Sequence, residues 1–318
     1  MATTTNITTS YAGKDAAPYV AAALLESPTL NNGGLDVLPE IRFRKTLRPA
    51  NIADIIADAT CDFTATGDVT ILERYLEPKE LQVNQKFCKK DFTDTWEAQK
   101  MGFGLGETLP KEFSDFIIAE YAAQVAEKNE INLWRGVASN DGEYNGFVTL
   151  ISADADLPAA QEIAGTTVDA SNVIDELGKI VDAIPDRLYG KEDMKIYVAN
   201  NIFKAYKRAL GGFGANGLGA SGVNGQGNNQ NLDSLQFDGV EIFQTFGLAK
   251  DTAIATRRSN LKFGVGDLAN HGDVNLIDMA DIDGSRNVRF VMRFSAAAQY
   301  EFAKDFVTYG ITNSANPA

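Results

Sequence analysis

One histidine and two cysteines in 318 residues leave little room for the commoner kinds of catalysis. His271 stands in the loop-like stretch LANHGDVN, with no nucleophile motif nearby and no second histidine to share a metal, and it reads as an ordinary surface residue. Cys61 and Cys88 lack C-x-x-C spacing, so neither a disulfide framework nor a zinc site is expected and both read as idle thiols. No apolar run approaches the ~20 residues that a membrane helix needs. The stretch VAAALL at 20–25 is too short, and lacks the basic lead, for a signal peptide, so the chain is expected in a cytoplasm with no membrane partner. Basic charge is also sparse: 29 Lys and Arg against 43 Asp and Glu give a net charge of -14, and this argues against a surface built to neutralise phosphates. G-x-S-x-G, H-E-x-x-H and Walker sequences are missing, so no enzyme is expected and no catalytic, cofactor-binding or metal residue is assigned.

Two motifs invite a chemical reading that their context denies. Gly212 to Gly217 fits G-x-G-x-x-G, the fingerprint that cradles a dinucleotide pyrophosphate between a strand and a helix. Here NNIFKAYKRAL, a helical pattern, comes before it and an unpatterned stretch follows. The segment 211–232, with eight Gly and five Asn, reads instead as a surface loop. The acidic groups Asp154 with Asp156, and Asp278 with Asp281 and Asp283, lack EF-hand spacing and read as solvated loops. A carboxylate metal site in DMADIDG is what a soluble cytoplasmic enzyme would have to use.

What is present is a mixed α+β pattern. Residues 1–60 are polar or loop-rich and read as an arm that must lie on something else. From Val69, VTILERYL and ELQVNQKF flank Glu77-Pro78-Lys79 and predict a hairpin. Its second strand alternates Leu81, Val83 and Phe87 against polar positions, while its first has apolar residues on both faces, so the hairpin needs partners beyond its own core. Pro110 opens a long helix striped by Phe113, Phe116, Ile117, Tyr121, Val125, Ile131 and Trp134. A second helix follows Ser171, its expected cap, with Val173, Ile174, Leu177, Ile180, Val181 and Ile184 in period, and stops at Pro185. MKIYVA reads as a strand, followed by a helix from about Asn200, then DGVEIFQTF and TAIATRR…NLKFGVG as β runs. The closing RFVMRF alternates Phe290, Met292 and Phe294 with Arg289 and Arg293.

This order resembles the major capsid protein of tailed bacteriophages, the Hong Kong 97-like fold that encapsulins also use. The residues carrying the resemblance are ILERYLEPKELQVNQKFCKKDFTDTWEAQKMG, similar to the family's E-loop; LPKEFSDFIIAEYAAQVAEKNEINLWRG, similar to its spine helix; VIDELGKIVDAIPDRLYGKEDMKIYVANNIFKAYKRAL and FDGVEIFQTFGLAKDTAIATRRSNLKFGVG, similar to its A-domain; and RFVMRFSAAAQYEFAKDFVTYGI, similar to its closing strands. In texture it is nearest to capsid proteins of phages that infect Bacteroidetes. The resemblance implies an N-terminal arm at 1–64, an E-loop at 65–110, a P-domain spine helix and hairpin at 111–165, an A-domain at 166–284 and a return to the P-domain at 285–318.

It further implies a structural subunit that assembles through hexamers and pentamers into an icosahedral virion shell, built in the host bacterial cytoplasm. Portal, decoration proteins and, since only some 60 residues precede the hairpin, a separate scaffold protein would be its partners, and the shell would enclose DNA without binding it specifically. Subunit contacts fall on Ile71, Leu72, Arg74, Tyr75, Glu77, Lys79, Leu81, Val83, Lys86 and Phe87. The P-domain core falls on Phe113, Ile117, Tyr121, Val125, Phe290 and Phe294. Some relatives crosslink Lys to Asn, and Lys79, Lys86, Lys89 and Lys90 are placed for that by location alone. An encapsulin, with enzyme cargo in place of DNA, is the alternative within the same fold.

Overall fold

The computed structural model describes residues 10–11, 27–53, 56, 58–59, 61, 68–88, 111–211, 235–266 and 274–314. The glycine-rich loop beyond Gly211, His271, Lys89, Lys90 and the side chains of Phe113 and Asp281 lie outside that set.

Two sheets share one long helix. In the first sheet the 14-residue β15 (Asn287–Tyr300) is the hub. Along one edge it pairs antiparallel with β7 (Lys79–Cys88), and along the other with β14 (Val274–Asp278) and then β13 (Leu261–Val265). β2 (Asp36–Leu38) adds to β13 in parallel, and β1 (Ser10–Tyr11) adds to β14. Apolar residues at alternate positions, Val288, Phe290 and Met292, put one face of β15 into the core, and Arg289 and Arg293 put the other in water.

The expected hairpin across residues 77–79 is therefore not the pairing that forms. Instead of its sequence neighbour, β7 takes β15, because that register sets Phe87 opposite Val288, Val83 opposite Met292 and Leu81 opposite Phe294. Such apolar cross-strand pairs stabilise a ladder, and the charged run before Pro78 has nothing comparable to offer. Nor are residues 1–64 simply an arm, since β1 and β2 belong to the first sheet.

The second sheet runs β10 (Leu235–Phe237), β11 (Val240–Thr245), β9 (Met194–Ala199), β12 (Ala253–Arg257), β16 (Val307–Tyr309), β8 (Glu162–Ile163). β10 and β11 form a hairpin whose turn residues Asp238 and Gly239 both have positive φ, 46° and 80°. This is the conformation that Asp-Gly favours in two-residue turns. Both faces of β9 are buried, so MKIYVA lacks polar alternation. Ile196 and Val198 face a core closed by α4 (Val173–Asp182) and α5 (Asn200–Gly211), while Tyr197 faces the first core.

β12 and β13, read together from sequence as one pair, part company at a 3-10 turn over Arg258–Asn260 and enter different sheets. β13 and β14 thus lie beside β15 and not in the sheet of β9. Among residues 136–165 there is no hairpin: the chain forms α3 (Phe147–Ile151), a 3-10 turn and the two-residue β8. Ser171 does not cap α4. Its hydroxyl donates to Asp169, whose Oδ1 also accepts the backbone N–H of Ser171 and of Asn172 at 2.7 and 3.2 Å.

The long helix α2 (Lys111–Arg135), about 37 Å at ~1.5 Å per residue, ties the sheets together. Toward its start, Ile117 and Ile118 are buried and Tyr121 stacks on Phe290, with ring centroids 4.7 Å apart. Val125 and Phe294 are half-buried against the same core. At its end, Trp134 is fully buried between Phe147 and Tyr197, at centroid distances of 5.6 and 5.2 Å.

One turn earlier on the helix, Glu130 reaches the short α1 (Pro28–Asn31). The Thr29 hydroxyl donates to its Oε1, the Thr29 N–H to Oε2 at 3.3 Å, and Trp134 Nε1 to the Thr29 hydroxyl at 3.2 Å. Burial pushes the Glu130 carboxyl up, against the hydrogen bonds from Thr29. A carboxyl raised in the folded state contributes its stability at low pH and loses it as pH rises through the folded value. Glu130→Gln is therefore expected to melt higher than the parent at neutral pH and to show a weaker decline of Tm above about pH 4.5, readable in a pH series of thermal melts.

Candidate subunit-contact surface

The part of the chain without a core of its own is a two-stranded ribbon. β3 (Lys45–Leu47) pairs antiparallel with β6 (Arg74–Leu76), and β4 (Ala50–Ala53) with β5 (Asp68–Ile71), in one unbroken register. Among the described residues neither pair has another strand beside it. An isolated two-stranded ribbon is marginal in water, and this one leaves large apolar side chains in solvent: Phe43 is 84 % exposed, Ile56 91 % and Ile71 62 %, with Leu72 and Tyr75 also exposed.

Its base, in contrast, is fastened. Leu76 is completely buried with Ile41 and Ala297, and its Cδ2 lies 2.8 Å from where a Cβ on Gly264 would stand, so a larger residue there would force the Leu76 side chain to shift. Arg74 Nη2 lies 2.6 Å from Asp154 Oδ2, its Nε donates to the Glu301 carbonyl at 3.1 Å, and its guanidinium sits 4.4 Å over the Tyr300 ring. The Tyr300 hydroxyl donates to the same Asp154 oxygen at 2.5 Å, and Gln299 Nε2 donates to the Tyr75 carbonyl at 2.9 Å. Burial alone would raise the Asp154 carboxyl. Hydrogen bonds from Tyr300, the Asp156 N–H and Arg74 outweigh it and hold the group below its usual range.

Between this base and the second sheet lies a cleft of about 680 Å³, lined among others by Leu72, Arg74, Arg187, Arg257, Phe302 and Asp305. Asp305 is almost fully buried, 2.5 Å from Arg257 Nη2 and 2.6 Å from Arg187 Nη2.

The residues singled out from sequence divide between surface and core. Ile71, Leu72 and Tyr75 are on the ribbon, and Glu77 and Lys86 are exposed. Arg74 is the clamp. Lys79 donates from Nζ to the carbonyls of Glu143, Ala138 and Asn140 at 2.7, 2.9 and 3.2 Å, which fixes it as the staple of that loop. Leu81 is a core residue, and Val83 and Phe87 pack against the same core from β7. Sequence reasoning missed Phe43 and the basic residues around it, although the string RFRK carried the signal of an aromatic among charges. The acidic groups serve as turn acceptors: Asp278 Oδ1 takes the Ala280 N–H at 3.0 Å, starting α6 (Ala280–Asp283), and Asp283 Oδ1 takes the Ser285 N–H at 2.9 Å. Among the described residues no cluster of three or more His, Cys, Asp or Glu is placed to hold a metal ion.

No protein-family model and no curated protein matches the chain. Solved structures do. The chain superposes on a subunit of the satellite phage P4 procapsid, a particle that includes a size determination protein, with a TM-score of 0.58 at 10 % identity, over 93 % of this chain and 90 % of that one. The chain has the Hong Kong 97-like capsid fold. The capsid of an empty GTA particle matches with a TM-score of 0.57 at 11 % identity, over 90 % of both chains. A virus-like particle from Pyrococcus furiosus gives 0.52 at 12 %, over 92 % of this chain and 96 % of that one. At these identities the Hong Kong 97-like fold persists while nearly every side chain differs, so layout and not residue identity is what the chains share.

Proposed function

We propose that the chain is a structural subunit that assembles through pentamers and hexamers into an icosahedral capsid enclosing a phage genome, without a catalytic step. The observation that carries this reading is the ribbon at 45–76, the E-loop position of the fold, which among the described residues has no further strand beside it and leaves Phe43, Ile56 and Ile71 in solvent. Capsids in which many copies meet supply such a ribbon with a neighbour to lie on. On this reading the E-loop begins and ends N-terminal to the bounds 65–110 assigned from sequence, and shares only its second arm with that range. The contact residues are those of the ribbon, Ile71, Leu72 and Tyr75 together with Phe43, while Leu81, Val83 and Phe87 hold the subunit together. A scaffold protein, a portal and decoration proteins complete the proposed set of partners, with assembly in the host cytoplasm.

Electron microscopy and size-exclusion chromatography of the expressed chain test it. Megadalton shells are expected, and a persistent monomer of about 34 kDa overturns the reading. Protein cargo in place of DNA inside the shells would move the assignment to an encapsulin-type compartment, as the match to the Pyrococcus furiosus particle allows. Ile71→Asp places a charge on the exposed face of the ribbon. It is expected to leave the subunit's Tm within about 2 °C of the parent, since exposed positions contribute under ~0.5 kcal/mol, and to reduce particle yield severely.

A further inference from the structure

The first sheet turns one face to α2 and the other to water, and the watered face is basic at its centre. Along β15, Arg289, Val291 and Arg293 point away from the core that holds Val288, Phe290 and Met292. The register with β7 sets Lys86 directly opposite Arg289, Asn84 opposite Val291 and Gln82 opposite Arg293, so all of these share the watered face. Lys86, Arg289 and Arg293 are exposed, and among the described residues none of the three forms a hydrogen bond or an ion pair. Carboxylates stand only at the margins of the strip. Glu80 is one row beyond Arg293, opposite Ser295, and Asp283 precedes β15, its carboxyl held low by the Ser285 hydroxyl and N–H and also by the charge of Arg289.

Like charges directly opposite one another destabilise a ladder, and Arg289 faces Lys86 in this way. In a chain with 43 Asp and Glu against 29 Lys and Arg, three exposed cations left without an ion-pair partner call for an anion from outside the subunit. We propose that this face of the first sheet contacts the phosphate backbone of duplex nucleic acid enclosed by the shell, and so lines its interior. The proposal rests on the shell reading above. The net charge of -14 conceals the strip, because two strands far apart in sequence assemble it.

The composition of the face favours nucleic acid over a protein partner. Protein interfaces deplete charge at their centre and place an aromatic or aliphatic anchor there. Here the centre is charged, Val291 is half-buried, and the outward positions of β15 and β7 hold no aromatic residue. That also removes the stacking platform that single strands use. Arg, Lys, Asn and Gln are side chains that meet phosphate oxygens without reading bases. From Arg289 to Arg293 is ~13 Å along the strand at ~3.3 Å per residue, and a duplex presents one charge per ~1.7 Å of its axis, so the strip spans several phosphates. An otherwise acidic chain keeps the contact weak and independent of sequence.

Neutralising the strip tests this in the full chain, with Lys86→Gln, Arg289→Gln and Arg293→Gln combined. Unassembled parent subunits are expected to bind a short duplex of random sequence, read by fluorescence anisotropy, with a log–log salt slope near -2.7 for three phosphate contacts, or about a 40-fold loss from about 50 to 200 mM salt. The triple variant should bind about tenfold or more weakly with most of the slope gone, and should melt at or slightly above the parent because the opposed cations are relieved. Equal binding by parent and variant overturns the proposal, and a marked fall in Tm overturns it in favour of a structural role. Polyglutamate, whose charges are spaced about twice as widely as those of a duplex, should bind more weakly; equal or tighter binding assigns the face to an acidic protein and also overturns the proposal. Intact shells should not bind long duplex added outside, and shells that bind it through these three residues overturn the interior placement. A parent chain that never forms particles removes the shell reading, and it does so whatever the subunit binds.

Discussion

Trp134→Ala is expected to leave little soluble subunit. The indole is fully buried where the long helix passes from the first sheet to the second, wedged among Phe147, Tyr197 and the backbone of Gly247. Even a Cβ on Gly247 would stand 2.3 Å from the indole Cδ1, so the neighbourhood is packed without slack. Truncating such a ring typically costs about 3–5 kcal/mol, against the ~5–15 kcal/mol that stabilises a domain. The loss also frees the Thr29 hydroxyl from its indole donor and slackens the Glu130 contact with α1. Soluble yield and thermal melts check this beside Glu120→Ala, an exposed position on the same helix that is expected to behave like the parent.

Asp305→Ala is expected to be the most damaging removal of a charge. The Asp305 carboxylate is 2 % exposed and accepts Arg257 Nε and Nη2 at 3.0 and 2.5 Å while also holding Arg187. It joins the 3-10 turn at Ala303–Asp305 to the end of β12 and to the turn after α4. Breaking a buried pair by deleting one partner costs about 3–5 kcal/mol. Arg257 and Arg187 keep some access to water, at 21 % and 56 % exposure, which brings the expectation to about 2–4 kcal/mol. Denaturant melts should show the midpoint falling with the slope unchanged. Asp305→Leu combined with Arg257→Met should recover much of the loss, because the more buried arginine goes with its partner and Arg187, 56 % exposed, keeps its water. Lys128→Ala, which removes an exposed partner of Glu143, should cost under ~1 kcal/mol and serves as the contrast.

How far the fold could be read from the sequence followed how local each signal was. α4 and β15 are amphipathic with clean periods, and β9 is apolar except for Lys195 because both its faces are covered, so each is legible in a short window of sequence. Strand partnership is not local. VTILERYL and ELQVNQKF look like two arms of a hairpin, yet one goes back to residues 45–53 and the other forward to 287–296, and only the apolar matches of Leu81, Val83 and Phe87 decide it. The Asp238-Gly239 turn was legible in its dipeptide and passed unread. The contact surface was half visible. Ile71, Leu72 and Tyr75 betrayed themselves by breaking alternation, whereas Phe43 sits in an irregular stretch where no period exists to be broken.

The partnership of β7 with β15 also sets a timetable for synthesis. About 200 residues separate Cys88 from Asn287, so at ~5–20 residues per second a nascent chain carries Leu81, Val83 and Phe87 for roughly 10–40 s before the strand that covers them has been made. The helix and the strands of the second sheet from β8 to β12 emerge within that interval, but β16 does not, and neither core can close until the last fifth of the chain is out. Newly made subunits therefore pass through a crowded cell with an apolar strand edge open, the condition in which unrelated chains pair wrongly. Ribosome-bound chains halted before residue 287 should accordingly bind holdase chaperones and be cleaved by protease within β7, and both should cease once β15 has cleared the exit tunnel.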